Sequence, residues 1–170
     1  MDIAQWVGGV SFVLGLVCFC QKDDRKLRLM MLAFYGVHAV HFILLGSMAA
    51  AGAVVLSFIR TGLSILYPRK WLSWVVIGCL AGVGLMSWQS HWQLLAILGT
   101  AIGTYSVFNF QGIQLRLGLV VGASLWLSHN IAVGSIGGAL LESCLIVLNL
   151  ITAMRIYRDD QNEQSTIVDP

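Results

Sequence analysis

The residues of this sequence whose types could do chemistry share one property: each places a polar or charged side chain inside an otherwise apolar run. They are His38, His41, Arg60, His129, Asn130, Glu142 and Asn149. Histidine titrates near neutral pH, so His38 and Glu142 are candidates to carry a proton. Histidine and carboxylate also suit a divalent metal such as Zn²⁺, although the candidate set of His38, His41 and Glu142 has no known metal-ligand spacing.

Residue counts from two Gly-Ser turns, at 46–47 and 134–135, sort these side chains into three layers. The outer layer is His41, His129 and Asn130, the middle layer His38 and Glu142, and the inner layer Arg60 and Asn149. An ionisable group near the middle of a bilayer costs at least about 2.5–3.5 kcal/mol, so such groups face the bundle interior and have partners. We therefore expect Glu142 to be protonated or paired, with His38 or His129 as the partner.

Structural explanations of the same residues stay open. The Arg60 side chain could extend to the headgroups at the inner end of its helix. The histidines and carboxamides could cap helix ends or form hydrogen bonds between helices. For Glu142, too, a purely structural hydrogen bond remains an alternative to a functional role.

The composition is that of an integral membrane protein. Of 170 residues, 58% are hydrophobic and 11% are charged, whereas a soluble domain carries about 25% charged residues. The mean hydropathy is +0.81. Seven apolar runs are close to the roughly 20 residues that a membrane-spanning helix needs. They predict transmembrane helices at 3–20, 28–45, 48–66, 71–88, 92–109, 116–133 and 135–156.

The basic residues predict the orientation of the chain. Nine of the ten Lys and Arg residues follow the first, third, fifth and seventh spans, and the opposite side has none. The positive-inside rule makes the basic side cytoplasmic, with the N-terminus outside and the C-terminus inside. The polar segment after Tyr157 is expected to be a disordered cytoplasmic tail.

An internal repeat relates residues that are 88 positions apart. The pairs are Gln5 with Gln93, Gly15 with Gly103, Leu-Arg-Leu at 27–29 with 115–117, His41 with His129, and the turn at 46–47 with that at 134–135. Coincidence in an apolar sequence is the alternative. Three spans per half require a connecting span if both halves are to run in the same direction, as in a parallel repeat.

The repeat predicts an all-α membrane protein of seven helices in a 3+1+3 arrangement. Two parallel three-helix bundles, at 1–66 and 92–157, are joined by a linker helix region at 67–91 and followed by a polar tail at 158–170. This arrangement is similar to that of SWEET and PQ-loop type transporters, but their Pro-Gln pair is absent.

Three segments resemble the YgjV family of bacterial inner membrane proteins: "GVHAVHFILLGS", "SFIRTGLSI" and "WLSHNIAVGSIGGALLESCLIVLNLITAMRIYR". The resemblance extends over residues 3–158. It implies a small polytopic protein of the bacterial inner membrane, and it implies no particular activity or substrate.

Two classes of function are compatible with these observations. The first is a transporter whose polar side chains bind a small polar substrate between the two halves, with a coupled proton on His38 and Glu142. The second is a non-transporting scaffold, sensor or metal-binding protein. The sequence has no motif for nucleotide binding or nucleophilic catalysis, so neither an enzyme nor a cofactor is expected. The expected partners are membrane lipids, the substrate and a second copy in a homo-oligomer, with no nucleic acid.

Overall fold

The computed structural model describes residues 3–86 and 90–168, and within these ranges the chain is all-helical with no strand. The helices are α1 (Ile3–Phe19), α2 (Asp24–Leu44), α3 (Met48–Leu66), α4 (Lys70–Met86), α5 (Gln93–Asn109), α6 (Gly112–Ala132) and α7 (Ile136–Val168). Each helix overlaps one predicted span, so the all-α class and the seven helices are confirmed for the described residues. Residues 87 and 88 of the predicted fourth span lie outside the described residues.

Helices α2 and α6 begin before their predicted spans, at 24 against 28 and at 112 against 116, and α7 ends after its predicted span, at 168 against 156. Asp23 precedes α2, and its carboxylate accepts a hydrogen bond from the backbone N–H of Lys26 at 2.7 Å. This N-cap starts α2 among the polar residues 21–27, before the predicted span at 28–45. The prediction of a disordered tail is wrong for residues 158–168, which continue α7. No Gly or Pro interrupts residues 139–168, and Asp159 forms an ion pair with Lys22.

The main helix contacts form a closed circuit of six helices. Helix α1 packs on α2, α2 on α3, α3 on α5, α5 on α6, α6 on α7, and α7 on α1. Helix α4 packs on α5, beside the circuit. The two contacts that close the circuit, α1 with α7 and α3 with α5, therefore join the first three helices to the last three.

A buried apolar cluster draws on both ends of the chain. Its members, all less than a tenth exposed, are Cys18, Phe19, Leu27, Met31, Val107, Leu115 and Leu145. Elsewhere many large apolar side chains lie on the outer surface, among them Ile3, Trp74 and Ile136. An apolar outer surface of this extent is typical of a face in contact with lipid or a partner.

Helix length and composition single out two helices that can cross a membrane. They are α2 and residues 136–164 of α7. Helix α1, residues 51–66 of α3 and helix α4 are apolar but shorter, with 17 residues or fewer.

The two Gly-Ser turns have the same hydrogen bonds. Gly46 and Gly134 have φ angles of 71° and 74°. The N–H of Ser47 donates to the Phe42 carbonyl at 3.0 Å, and the N–H of Ser135 donates to the Asn130 carbonyl at 2.8 Å. This is the Schellman end of a helix, which places glycine in the left-handed region. The matched turns explain why both positions hold glycine.

Candidate functional site

Arg60 is the charged centre of a polar cluster between three helices. Its side chain lies on α3 and is 6% exposed. Its Nη2 donates to the Tyr35 hydroxyl of α2 at 3.1 Å, and its Nη1 donates to the Thr104 hydroxyl of α5 at 3.3 Å. The guanidinium carbon lies 5.8 Å from the centroid of the Tyr35 ring. Arg60 therefore points into the bundle, and not towards the headgroups.

The positive charge of Arg60 has no acidic partner in the described part of the chain. The ion pairs there are Lys22 with Asp159 and Arg116 with Asp24. Both hydrogen-bond partners of Arg60 are neutral hydroxyls, and its buried Nε has no partner. A buried cation that is bonded only to neutral groups loses hydration without gaining an opposite charge.

Glu142 lies near this cluster but is not paired with a histidine. Its side chain is half-buried on α7 and within electrostatic range of the Tyr35 hydroxyl. The expected pairs with His38 and His129 do not form among the described residues, and Nδ1 of each imidazole has another partner. Nδ1 of His38 shares a hydrogen bond of 2.7 Å with the Ser11 hydroxyl, and Nδ1 of His129 donates to the Trp92 carbonyl at 2.9 Å.

His41 also forms a bond to the backbone. Its Nδ1 donates to the Ala4 carbonyl at 2.8 Å, and its ring lies 5.9 Å from that of His38, measured between centroids. Among the described residues no three His, Cys, Asp or Glu side chains are grouped closely enough to hold a metal ion. The structure therefore does not assemble the metal site considered for His38, His41 and Glu142.

The two asparagines of the predicted site differ in their surroundings. Asn149 is 1% exposed, its Nδ2 donates to the Leu145 carbonyl at 2.8 Å, and its buried Oδ1 has no partner. Buried polar atoms rarely lack a partner, so this oxygen has an unused capacity to accept a hydrogen bond. Asn130 lies at the turn, where its Oδ1 would be 2.5 Å from a Cβ at Gly138. Asn130 is therefore packed against the start of α7.

A clasp closes the end of the bundle opposite the Gly-Ser turns, and we define it as Asp24, Arg28 and Arg116 with the backbone that they bind. Arg116 is fully buried and lies 3.1 Å from the Asp24 carboxylate. It also donates to the carbonyls of Gln21 at 2.9 Å and Lys22 at 3.1 Å. The other Asp24 oxygen accepts from the N–H of Gly112 at 2.7 Å.

Arg28 completes the clasp from the other direction. Its Nη2 donates to the Phe110 carbonyl at 3.3 Å. Arg28 and Arg116 are 88 residues apart, and so are the Lys22 and Phe110 carbonyls that they bind. Arg28 on α2 therefore binds the connection before α6, and Arg116 on α6 binds the connection before α2.

Sequence reasoning missed the hydroxyl partners of Arg60 and treated Arg116 only as a charge that sets orientation. Tyr35 lies three residues before His38, on the same face of α2, and that spacing was the available signal. Thr104 carried no signal, because a hydroxyl in an apolar helix most often donates to its own backbone. Thr104 does donate to the Thr100 carbonyl, at 2.7 Å.

Two open surface pockets lie away from the cluster around Arg60. One lies between α6 and α7, with Leu117 and Leu150 in its wall, and the other lies between α4, α5 and α6, with Trp74 and Val121 in its wall. Their walls are almost entirely apolar. They are suited to acyl chains and not to a polar solute.

Comparisons with known proteins give the compartment. A family model described as a bacterial inner membrane protein, Imp-YgjV, matches residues 2–160. The inner membrane protein YgjV of Escherichia coli (strain K12) is 30% identical over 156 residues, which cover 92% of this chain and 85% of that relative. No solved structure matches. The apolar outer surface of the helices agrees with this compartment.

Proposed function

Because the chain belongs to the YgjV family of bacterial inner membrane proteins, we propose that all seven helices span that membrane in a 3+1+3 arrangement. Helices α1–α3 and α5–α7 are the two parallel bundles, and α4 is the linker between them. The N-terminus faces outward and the C-terminus faces the cytoplasm, because the basic residues lie at the ends that carry the clasp.

Contacts that recur at an offset of 88 support the repeat. The bond from His41 to the Ala4 carbonyl recurs as the bond from His129 to the Trp92 carbonyl, at 2.8 and 2.9 Å. The matched turns and the two clasp arginines follow the same offset. In the repeat α1 corresponds to α5 and α3 corresponds to α7. The contact of α1 with α7 therefore corresponds to the contact of α5 with α3. A twofold axis along the membrane normal accounts for all of these pairs.

The function that this arrangement supports best is transport of a small polar solute between the two halves. One observation carries the proposal: Arg60 of one half binds Thr104 of the other inside the bundle, and its Nε remains free. Intramembrane ionisable groups that face the bundle interior mark solute or ion pathways. A solute bound there would contact both halves at once, as alternating access requires.

Glu142 and the clasp have defined parts in this proposal. Glu142, near Tyr35 and without an ion pair, is positioned to take up a proton as the solute binds. The clasp closes the cytoplasmic end of the bundle, so release to that side requires Arg116 to leave Asp24. The transporter is in this view closed to the cytoplasm in the conformation described.

Uptake into proteoliposomes tests the proposal. We expect the full chain, with an inward proton gradient, to accumulate at least one solute from a panel of sugars, nucleosides, amino acids and organic acids above protein-free vesicles. Glu142→Gln should lower the response to the gradient. Glu163→Gln, the same change at an exposed position of α7, should not. Absence of uptake across the whole panel by a folded protein would overturn the proposal.

A scaffold is the second candidate, and a specific observation favours it. The imidazoles of His41 and His129 bond to backbone carbonyls of neighbouring helices, as side chains that only hold helices together would do. The scaffold predicts that Glu142→Gln lowers the melting temperature and that no solute of the panel is taken up or alters the melting of either protein.

A further inference from the structure

We propose that the Arg60 guanidinium binds the carboxylate of a small organic monoanion. The inference rests on the proposed function, since it names the substrate class of the same site. It starts from the unused hydrogen-bonding capacity of one buried side chain.

The guanidinium has donors left over on one edge. It carries five N–H groups in a fixed planar fork. One on Nη1 is used by Thr104 and one on Nη2 by Tyr35, while the buried Nε–H has no partner. In a planar guanidinium the Nε–H is parallel to one N–H of Nη2, and Nη2 has a second N–H besides the one that Tyr35 accepts. Two parallel donors of this kind match the two oxygens of a carboxylate.

The charge balance of the cluster favours an anion over a neutral solute. Arg60 is 6% exposed and has no ion-pair partner in the described segments. Glu142, the acid on α7 nearest to Tyr35, forms no ion pair with Arg60 in the described segments. A bound carboxylate would supply the missing negative charge at hydrogen-bond distance, in surroundings where water competes weakly.

The same surroundings favour one negative charge over two. The other groups bonded to Arg60 are the neutral hydroxyls of Tyr35 and Thr104. A phosphate or a dicarboxylate would bring a second charge with no cation to meet it. With Glu142 carrying the proton proposed above, a monocarboxylate leaves the site neutral overall, which is the least costly state inside a membrane.

Thermal unfolding of the purified full chain tests the inference, with acetate, lactate and pyruvate as probes and acetamide and lactamide as neutral counterparts of the same shape. We expect at least one carboxylate to raise the melting temperature saturably, at constant ionic strength, and the amides to have no effect. Ligand binding to the folded state alone produces such a rise. Equal stabilisation by the amide, or no stabilisation by any carboxylate, would refute the inference.

Variants of Arg60 assign the effect to this side chain. Arg60→Leu should abolish the stabilisation, and Arg60→Lys should weaken binding by about tenfold or more, because lysine keeps the charge but lacks the planar fork. Arg69→Gln removes an exposed cation and should bind as the wild type does. Stabilisation that persists in Arg60→Leu contradicts the assignment. If neither variant of Arg60 folds, the comparison of carboxylate with amide on the wild type still decides.

Binding and transport can fail separately. A carboxylate that binds in an Arg60-dependent manner without entering vesicles would support the binding site and contradict transport. Uptake of a neutral solute, with no carboxylate binding, would support transport and contradict the carboxylate.

Discussion

The first three helices and the last three share several residues near the ends of the bundle, such as Arg28 with Arg116 and His41 with His129, and differ in its interior. Arg60 has Leu148 at the position 88 residues later, and Glu142 has Val54 at the position 88 residues earlier. The deep charged groups are thus each present in one half only. Residues that occur in both halves hold the bundle together, and we attribute the proposed function to those that occur in one.

The middle layer shows the same contrast. His38 shares a hydrogen bond with Ser11 of α1 at 2.7 Å. Trp126, 88 residues later, donates from Nε1 to Thr100 of α5 at 3.2 Å. Both side chains connect the second helix of a half to the first, but only the imidazole can exchange a proton. The fold thus tolerates either chemistry at this position.

The largest expected effect concerns the two clasp arginines, which are matched in sequence and unequal in burial. Arg116→Gln should lower the free energy of unfolding by about 2–4 kcal/mol, because it removes the buried partner of the half-buried Asp24 carboxylate and the donor to the Gln21 and Lys22 carbonyls. Arg28→Gln should cost about 1 kcal/mol, since one hydrogen bond to the Phe110 carbonyl is lost. Unfolding in mixed micelles gives both values. Equal losses would show that burial does not separate the two arginines.

The two turn glycines should respond equally. Gly46→Ala and Gly134→Ala should each cost about 1–2 kcal/mol, because a left-handed conformation is unfavourable with a Cβ. Neither site has an atom within 4 Å of an added Cβ, so the cost is conformational in both. A clear difference between the two losses, measured by the same unfolding assay, would argue against equivalent turns.

The two outer histidines should also respond alike. His41→Phe and His129→Phe keep an aromatic ring but remove the donor to the Ala4 or Trp92 carbonyl. Each should cost about 0.5–1.5 kcal/mol and leave solute uptake unchanged. Thermal unfolding together with proteoliposome uptake checks both parts, and loss of uptake in one variant alone would assign that histidine to the solute path.

The smallest effect concerns the N-caps of α2 and α6. The backbone N–H of Lys26 holds the pKa of Asp23 below its ordinary value of 3.8. The cap therefore stabilises the folded state above that pH, and the stabilisation is lost as the pH falls through the lowered pKa. Asp23→Ala should slightly lower the melting temperature at neutral pH, and the difference from wild type should vanish in acid.

The matching position before α6 offers the reverse test. Gln111 has no side-chain hydrogen bond to the helix, so Gln111→Asp should add a cap and slightly raise the melting temperature at neutral pH. A lower melting temperature would show that the two helix starts are not equivalent.

The sequence predicted the helices well because apolar length and turn glycines are local signals. The seven helices and both Gly-Ser turns were placed by such signals alone. The end of α7 was predicted wrongly, because the contact of Asp159 with Lys22 joins residues 137 positions apart.

The candidate site could be predicted only in part. Charged residues in apolar runs drew attention to Arg60 and Glu142, since their cost in a membrane is independent of the fold. Their partners depend on helix packing, which residue counts along one helix do not give. Similar depth in the membrane suggested a pair of His38 and Glu142. In the packed bundle His38 shares its hydrogen bond with the Ser11 hydroxyl instead.

The most direct measurement is a pair of thermal unfolding curves, with and without lactate, for Arg60→Leu and for His41→Phe. Arg60→Leu places leucine at position 60. Leucine is also the residue at the matching position 148 of the second half. We predict that it melts at or above the wild-type temperature, because an unpaired buried charge is removed, and that it loses stabilisation by lactate. His41→Phe should melt lower and keep that stabilisation. An Arg60→Leu protein that melts lower and is still stabilised by lactate would contradict the separation of function from fold.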